Sequence, residues 1–377
     1  MSKPLSGYRM IELAGIGPNP YAGQLLADMG AEVILINRPG PSMPIVSNRG
    51  KKTMVVDLQT SEGVNVLLEL VKTADVLYEG LRPGVVERLG VGPEQCHAVN
   101  PKLIYGRMTG WGQNGPWAKV AGHDINYISI TGALGAMGKA NEPPRPPLNL
   151  VGDFGGGSLF LVSGILASLL KVQKTGKGEV VDAAMIDGVS SMMSMFYSLS
   201  GNKLWQTKRE SNYLDGAMPF YRCYQTSDDK FMAVGCLEPQ FFAEMLSKLE
   251  IEPGEFGKQQ DASKHAEQHQ KLEAIFASKT RDDWATLFDG SDACVSPVLN
   301  YEEAMTHPQN VARGGLNQYG QFVHPRTAPI FESDFKDSPF KVPGPSDDAL
   351  SILESLNYNS KEIEHLKNTN IVKISQK

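Results

Sequence analysis

The sequence predicts an α/β fold: a large domain built on a mostly parallel sheet with helices on both faces, and a smaller α+β domain. The first 200 residues alternate short β-like runs with helical ones. Such alternation is typical of parallel strands joined by crossover helices. The length of 377 residues predicts the second domain, because it exceeds what one hydrophobic core usually serves.

The large domain is predicted to begin with a strand–helix–strand unit. A strand over residues 8–14 leads through a glycine-containing turn into a helix over residues 21–29, which ends at Gly30, and a second strand covers residues 32–37. The remaining predicted elements are strands at residues 53–58, 75–78, 103–108 and 179–184, helices at residues 62–73, 155–171 and 187–199, and short helices between Pro83 and Val99.

The second half of the chain predicts the small domain and, after it, a segment that returns to the large domain. Residues 201–216 are polar and lack periodicity, so they are predicted to link the large domain (residues 1–200) to the small one (residues 217–310). The small domain is predicted to hold a hairpin at residues 220–225 and 230–236, then helices at residues 240–249, 265–278 and 281–288. Residues 311–377 are predicted to return and pack on the large domain through a helical segment at residues 347–367.

Composition and charge exclude several classes of protein. Apolar residues make up 41% and charged residues 21% of the chain, which is typical of a globular protein. The net charge of -6 argues against a partner that is a nucleic acid. The scattered cysteines Cys96, Cys223, Cys236 and Cys294 form no CxxC pair, which favours reduced thiols in a cytosol-like compartment.

Targeting and membrane signals are not visible in the sequence. The start, Met-Ser-Lys-Pro, is not followed by the apolar run of a signal peptide, and the apolar stretch at residues 159–170 is shorter than a bilayer requires. The end, Ser-Gln-Lys, differs from the Ser-Lys-Leu type of peroxisomal ending. We therefore expect a cytoplasmic protein with no membrane partner.

Cations at strand ends are the first candidate binding residues. Arg38 follows the second strand, where a cation suits a phosphate on a ribose, and both NADP and coenzyme A carry one. The preceding turn has glycines at positions 15 and 17, but Pro20 replaces the third glycine of a dinucleotide fingerprint. The turn is therefore either purely structural or part of a ligand site.

A basic run and a basic βα connection extend this set. Arg49, Lys51 and Lys52 precede the third strand, and Arg82 and Arg88 lie on a later connection. Arginine binds phosphate through paired hydrogen bonds, so a few such residues can hold an anion on an acidic protein. The alternative for the run is a solvated edge of charge.

The stretch Gly-His-Asp-Ile-Asn-Tyr at residues 122–127 contains one of only seven histidines. We place it in a loop, where His123 and Asp124 are a metal-ligand pair, a catalytic base with its neighbour, or a surface pair. No third ligand lies nearby in the sequence, so a metal site is not predicted.

Asp153 lies where a loop meets a long apolar helix, and three glycines follow shortly after it. Consecutive glycines lower helix stability. We explain them by a close approach of the backbone to a ligand, with N–H groups directed at developing negative charge. The alternative makes Asp153 a helix N-cap. Glu238, before a proline at a helix start, carries no information by itself.

Together these stretches resemble the α-methylacyl-CoA racemase branch of the class III (formyl-CoA transferase-like) CoA-transferase superfamily. The resemblance runs from about residue 5 to 310. Its most specific part is the pair Gly-His-Asp-Ile-Asn-Tyr (residues 122–127) and Asn-Leu-Val-Gly-Asp-Phe-Gly-Gly-Gly (residues 149–157). The other matching segments are residues 12–18, 37–39, 82–89, 107–115, 176–185 and 238–241.

The resemblance implies a Rossmann-like large domain, a smaller α+β domain, and two chains interlocked as a homodimer. It implies an acyl-CoA substrate, a catalytic acid/base pair formed by His123 and Asp153, and support of the histidine by Glu238 from the partner subunit. The coenzyme A site that it implies comprises Arg38, Arg49, Val56, Asp57, Leu58, Gln59, Arg88, Gly122, His123, Asp124, Ile125, Asn126 and Tyr127.

The implied reaction interconverts (R)- and (S)-2-methylacyl-CoA through an enolate, which requires a base on each face of the α-carbon. A histidine titrates near neutral pH, with an ordinary pKa of about 6.5. An aspartic acid, with an ordinary pKa of about 3.9, becomes a better proton donor where low dielectric raises that value. The N–H groups of residues 153–157 are predicted to stabilise the enolate oxygen. No metal or cofactor beyond coenzyme A is required.

Other functions are open at this point. A CoA-transferase on the same scaffold uses the aspartate as a nucleophile that forms a mixed anhydride and then an enzyme–CoA thioester. That route leaves His123 without a task, so we favour two-base proton transfer. An NADP-dependent oxidoreductase and a non-catalytic CoA-binding module are further alternatives. The sequence does not select an acyl chain.

Overall fold

The computed structural model describes residues 3–41, 43–332 and 341–375. The strands are β1 (Arg9–Leu13), β2 (Glu32–Asn37), β3 (Lys52–Val56), β4 (Val76–Glu79), β5 (Ile104–Thr109), β6 (Glu179–Ala184), β7 (Tyr221–Gln225), β8 (Phe231–Gly235), β9 (Val295–Pro297), β10 (Leu316–Tyr319), β11 (Phe322–Pro325) and β12 (Val372–Lys373).

The α-helices are α1 (Pro18–Asp28), α2 (Ser61–Val71), α3 (Val85–Arg88), α4 (Pro93–Val99), α5 (Asp124–Ile130), α6 (Leu159–Thr175), α7 (Met185–Met192), α8 (Ser194–Gly201), α9 (Pro239–Lys248), α10 (Pro253–Phe256), α11 (His265–Phe276), α12 (Arg281–Phe288), α13 (Tyr301–Thr306), α14 (Pro308–Ala312), α15 (Ala349–Ser355) and α16 (Ser360–Asn368). A π-helix, Leu150–Ser158, runs directly into α6.

The large sheet has seven strands in the order β12-β3-β2-β1-β4-β5-β6. All neighbours are parallel except β12, which runs antiparallel to β3. The predicted α/β class with a mostly parallel sheet is therefore confirmed. Strand β1 pairs with β2 on one side and β4 on the other, so the strand order reverses there. Open sheets of this type bind ligands outside the carboxyl ends of the strands at such a switch point.

The sheet is buried on both faces, which explains why its strands are almost continuously apolar. Successive side chains of a strand point to opposite faces. Accordingly, Met10 packs in one hydrophobic cluster with helices α1 and α6, whereas its neighbour Ile11 packs in another with α2, α15 and α16.

The C-terminal segment lies on this sheet. Val372 pairs with Val56 in β3, and Ile352 and Leu366 are buried in the cluster that contains Ile11. The single helical segment predicted at residues 347–367 is instead two helices, α15 and α16, separated by a turn in which Asn357 has a φ of 65°. The hairpin of β10 and β11 was not predicted.

The chain forms two compact units. The first comprises residues 1–131, 147–193 and 314–377, and the second residues 132–146 and 194–313. The predicted linker lies in the second unit, where residues 202–220 form turns and bends. The expected domain boundaries stay a prediction, because compact units need not fold independently.

The second unit contains an antiparallel sheet in the order β7-β8-β9. The predicted hairpin is confirmed by pairs such as Tyr224 with Met232. Strand β9 has only three residues and was not predicted. Tyr224 and Met232 are buried with Phe276 and Trp284 from helices α11 and α12.

The π-helix and α6 together form a continuous helical segment of 26 residues, Leu150–Thr175, which is long and apolar enough to cross a membrane by length and composition alone. It is longer than the apolar stretch read from the sequence because the π-helix precedes that stretch. Its residues Leu161, Ile165 and Leu169 are buried in the cluster that covers one face of the large sheet. This packing is typical of a core helix.

Candidate active site

Two adjoining cavities open at the carboxyl ends of the strands in the first unit. The small cavity, about 290 Å³, is lined by the loops after β1, β4 and β5 together with His123, Tyr127 and Asp153. The large groove, about 840 Å³, is lined by the ends of β1, β2 and β3. Ile16 and Leu81 line both. The loops after β1 and β4 thus frame the switch point of the sheet.

His123 directly precedes helix α5, a helix that the sequence analysis assigned to a loop. The backbone N–H of His123 donates to Oδ1 of Asn126 at 3.0 Å, and its carbonyl accepts from the N–H groups of Asn126 and Tyr127. The side chain of His123 is exposed at the small cavity. The start of α5 therefore fixes the backbone that carries the imidazole.

Tyr127 stabilises the backbone just before His123 through contacts in the interior. Its hydroxyl donates to the carbonyl of Gly122, and its ring packs edge-on against Trp111 with centroids 4.8 Å apart. A Cβ atom at Gly122 would lie 2.7 Å from the Tyr127 ring. The glycine before His123 is therefore required for close packing.

Asp153 is half-buried in the first half of the π-helix and lines the same cavity as His123. Its backbone N–H donates to Oδ2 of Asp124 at 2.7 Å, and its Oδ2 accepts from Nδ2 of Asn149 at 3.1 Å. The N-cap alternative for Asp153 does not hold, because the residue lies inside a helix that begins at Leu150.

The pKa of the Asp153 carboxyl is raised above its ordinary value, chiefly by burial. The hydrogen bond from Asn149 and the nearby His123 oppose this rise, and the charge of Asp124 adds to it. A carboxylic acid that holds its proton in this way is a better donor near neutral pH.

A second glycine links the turn after β1 to Asp153. Gly17 has a φ of 64°, and a Cβ atom there would lie 2.7 Å from Oδ2 of Asp153. The residue therefore meets two requirements, a left-handed backbone and space for the carboxylate. The sequence left the role of the Gly15-x-Gly17 turn undecided. In the structure, Ile16 and Gly17 of this turn line the small cavity.

The glycines at 155–157 do not have the predicted role. The N–H of Phe154 donates to the carbonyl of Asn149, and residues 155–157 lie within the π-helix, whose N–H groups bond along the helix. The predicted set of free donors for an enolate oxygen is therefore wrong. Instead, a Cβ atom at Gly156 would lie 2.7 Å from a methyl group of Val189 in α7. These glycines let two helices pack closely.

The large groove collects five of the thirteen predicted coenzyme A residues. Arg38 is exposed just beyond β2, and the groove is also lined by the end of β3 and the residues after it: Val56, Asp57, Leu58 and Gln59. Gly122, His123 and Tyr127 line the small cavity instead. Ile125 and Asn126 are exposed on α5, and the side chain of Asp124 is buried.

The basic run at residues 49–52 is divided between two buried ion pairs and one exposed lysine. Arg49 is 1% exposed and binds Asp28 through Nε (3.1 Å) and Nη2 (2.6 Å). Lys51 is buried against Glu12, with Nζ 2.7 Å from Oε2. Only Lys52 is exposed. Arg49 is therefore not brought to the groove in this structure, because its guanidinium is held by a buried carboxylate.

Two further predicted residues are Arg88 and Glu238. Arg88 is exposed at the end of α3, whose residue Val85 lines the large groove. Glu238 belongs to the second unit, where it is exposed and directly precedes helix α9. Among residues 3–41, 43–332 and 341–375, no group of three or more His, Cys, Asp and Glu side chains is arranged to hold a metal ion.

Sequence reasoning missed three neighbours of Asp153: the carboxylate of Asp124 as an acceptor for its backbone N–H, Asn149 as a donor to its carboxylate, and Gly17 as the residue that leaves room for it. The first two contacts depend on the π-helix, which forms through tertiary contacts and not through a local sequence pattern. Gly17 was visible as one glycine of an incomplete fingerprint.

The comparisons with known proteins define the class. Residues 5–346 match the family model of CoA-transferase family III, and the chain belongs to that family. Its fold is also that of a CaiB/BaiF family protein from Brucella suis, whose crystal structure is 28% identical, covers 94% of this chain and 100% of its own, and has a TM-score of 0.78.

Within the family, the chain is similar to two mammalian racemases. The α-methylacyl-CoA racemase of Mus musculus is 42% identical over 370 residues, covering 98% of this chain and 97% of its own length. The α-methylacyl-CoA racemase of Homo sapiens is 40% identical over 375 residues, with the same coverage. The family resemblance read from the sequence is thus confirmed.

Proposed function

We propose that this protein is an α-methylacyl-CoA racemase that interconverts (R)- and (S)-2-methylacyl-CoA by two-base proton transfer. The observation that carries the proposal is that His123 and Asp153 line one cavity, with the pKa of Asp153 raised by burial. The similarity to mammalian racemases over nearly the whole chain supports it. Separate cavities for the two side chains would have contradicted it.

The proposed chemistry follows from the two side chains. In one direction the His123 imidazole removes the α-proton and the Asp153 carboxylic acid returns a proton to the opposite face; in the other direction the roles exchange. The thioester is necessary, because the enolate of a free carboxylate would be a dianion. The donors that stabilise the enolate oxygen lie outside residues 153–157, whose N–H groups are engaged within the fold.

The large groove is the proposed site for coenzyme A. Its position outside the ends of β1 to β3 suits a nucleotide, and exposed Arg38 suits the ribose phosphate. Because the groove and the small cavity share Ile16 and Leu81, a bound thioester can extend from one to the other. Arg38→Ala is expected to raise KM for the acyl-CoA about tenfold or more, with kcat little changed.

The implied roles of Arg88, Glu238 and a partner subunit are part of the proposal. Arg88 would contact phosphate, and Glu238 of a second copy would support the imidazole in an interlocked homodimer. Mixing His123→Ala and Glu238→Ala chains tests this: recovery of activity in heterodimers supports a site shared between subunits, and its absence argues for sites contained in one chain.

We also propose that the reaction needs no metal or further cofactor and that the protein is cytoplasmic. Full activity after dialysis against a chelator would support the first point. The free cysteines, two of them exposed, are compatible with a reducing compartment. Localisation of the tagged chain by microscopy tests the second point.

The main test uses each epimer of a 2-methylacyl-CoA in deuterated water. The expected result is α-deuterium incorporation and formation of both epimers, lost in His123→Ala and Asp153→Asn. His365→Ala, which changes an exposed histidine of α16, is the matched control and is expected to keep wild-type activity. Transfer of CoA to a free acid without exchange would instead establish the transferase reaction, with Asp153 as the nucleophile.

A further inference from the structure

Asp124 contacts both segments that carry the proposed proton-transfer groups. It directly follows His123 in the chain, and its carboxylate accepts the backbone N–H of Asp153 at 2.7 Å. Its side chain is 6% exposed, so this contact is made in the interior. A residue expected from the family resemblance to contact coenzyme A thus has its carboxylate directed at the catalytic backbone.

The contact meets a specific need of the π-helix. Hydrogen bonds in such a helix join residue i to residue i+5, so the N–H groups of its first turn have no acceptor within it. Asp153 is the fourth residue of the helix that begins at Leu150, and Asp124 supplies the missing acceptor. Gly152 makes the approach possible, because a Cβ atom there would lie 2.6 Å from Oδ2 of Asp124.

The other carboxylate oxygen of Asp124 is buried and has no hydrogen-bond partner among the described residues. Asp124 lies in the first turn of α5, and its charge raises the pKa of Asp153.

Several groups bear on the ionisation of Asp153. Burial raises the pKa of Asp153, Asn149 lowers it through a hydrogen bond, Asp124 raises it and His123 lowers it. From α5, Tyr127 is also electrostatically coupled to Asp153, and Tyr127 is in turn coupled to Arg82 of the loop after β4. Asn149 lowers the pKa of Asp153 through a hydrogen bond to its carboxylate, whereas Asp124 raises it through its charge.

We propose that Asp124 is a positioning residue that holds Asp153 in the small cavity and places a negative charge beside the carboxyl group that returns a proton to the substrate. This inference rests on the proposed two-base reaction. It explains why a buried carboxylate lies beside a catalytic acid where a neutral acceptor would satisfy the same N–H.

The test is the pH dependence of α-deuterium exchange in Asp124→Asn. The asparagine oxygen can still accept from Asp153, so the fold is expected to persist while the charge is removed. In the direction in which Asp153 returns the proton, the alkaline limb of kcat/KM is expected to move to lower pH, because the pKa of Asp153 falls. Asn149→Ala is expected to move the same limb to higher pH, because it removes the hydrogen bond that stabilises the ionised form.

Ser129→Ala is the matched control, since this serine is exposed on α5 outside the cavity lining. It is expected to leave both the rate and the limb unchanged. A rate loss in Asp124→Asn that is uniform across pH would overturn the electrostatic role and leave a structural one. An unchanged rate and limb would overturn the inference entirely. Absence of exchange in the unmodified protein would refute the proposed function instead.

A second measurement covers the case in which Asp124→Asn does not fold. In the unmodified protein, the amide hydrogen of Asp153 is expected to exchange slowly with solvent deuterium, since Asp124 holds it. Fast exchange, equal to that of an unbonded amide, would refute the positioning contact without any activity measurement.

Discussion

The first unit buries charged side chains in two different ways. In the interior of the unit, Arg49 is paired with Asp28 and Lys51 with Glu12, and each of the four side chains is at most 2% exposed. Beside the small cavity, Asp124 and Asp153 lie against each other, and neither forms a salt bridge with a cation of the described residues.

The presence or absence of a cation partner distinguishes buried charges that stabilise the fold from those suited to proton transfer. A buried carboxylate next to an arginine has its charge compensated, and the pair is strongly destabilised only if one partner is removed. Two neighbouring carboxylates without a cation disfavour ionisation of at least one of them, which produces a proton donor. The same residue type thus holds the fold in one place and is suited to chemistry in the other.

The largest expected effect is on activity at the uncompensated site, the neighbouring carboxylates of Asp124 and Asp153. Asp153→Asn is expected to lower α-proton exchange by about 10²- to 10⁴-fold, because it removes an acid/base group. The variant is expected to fold normally, since Asn149 can still donate to the new amide oxygen. NMR measures the rate of α-proton exchange, and circular dichroism checks that the variant is folded. Retention of more than half the exchange rate would refute the role.

The buried pair of Arg49 and Asp28, whose charges compensate each other, is expected to affect stability when one partner is removed. Arg49→Ala should lower the free energy of unfolding by about 3–5 kcal/mol, because Asp28 is left buried without its partner. The control Lys52→Ala, which removes an exposed pair with Glu32, should cost at most about 1 kcal/mol. Denaturant unfolding measures both. Normal stability of Arg49→Ala with a raised KM would restore the phosphate role expected from the family resemblance.

Gly17→Ala tests whether the loop after β1 positions the carboxylate of Asp153. The new Cβ atom would lie 2.7 Å from the Asp153 carboxylate and would require a left-handed φ. Exchange is expected to fall about 10- to 100-fold, since a displacement of about 1 Å in an active site can cost that much. Gly7→Ala, at a residue with positive φ but open space around it, is the control for backbone strain alone. Equal activity losses in both would contradict a specific contact with Asp153.

The smallest expected effect is a gain in stability at the uncompensated site. Because the pKa of Asp153 is raised in the folded state, the folded protein holds this proton longer than the unfolded chain as pH rises. Stability is therefore lost as pH increases from about 4 through the folded pKa. Asp153→Asn lacks this loss and should melt at a higher temperature than the wild type at pH 8. The difference should shrink toward pH 4, and a constant difference would contradict the cause given.

The fold was predictable where local pattern decides it. Strands β2 and β6 have the predicted bounds, because each is a short run suited to a strand and flanked by residues that stop it. Helix α5 was not predicted, because its start depends on the cap formed by His123 and Asn126 in a short polar segment. The π-helix likewise follows from tertiary contacts with Asp124 and α7.

The candidate site was predictable to a similar degree. The residues of the reactive pair were identified through a family resemblance, and the structure brings them to one cavity. The burial of Arg49 could not be predicted from the sequence, because its partner Asp28 is 21 residues away, on a helix that only the folded chain brings close. Lys51 and Lys52 are adjacent, yet one is buried and the other exposed, since successive side chains near a strand point to opposite sides. Pairing of this kind is a property of the fold.

The most direct test of the two-base account follows the isotope in each epimer during early turnover in deuterated water. If His123 and Asp153 act from opposite faces, newly formed product carries deuterium at the α-carbon while the remaining substrate still carries protium. Product that retains the original proton would mean that a single base acts on both faces. That result would contradict the division of labour between the imidazole and the carboxyl group.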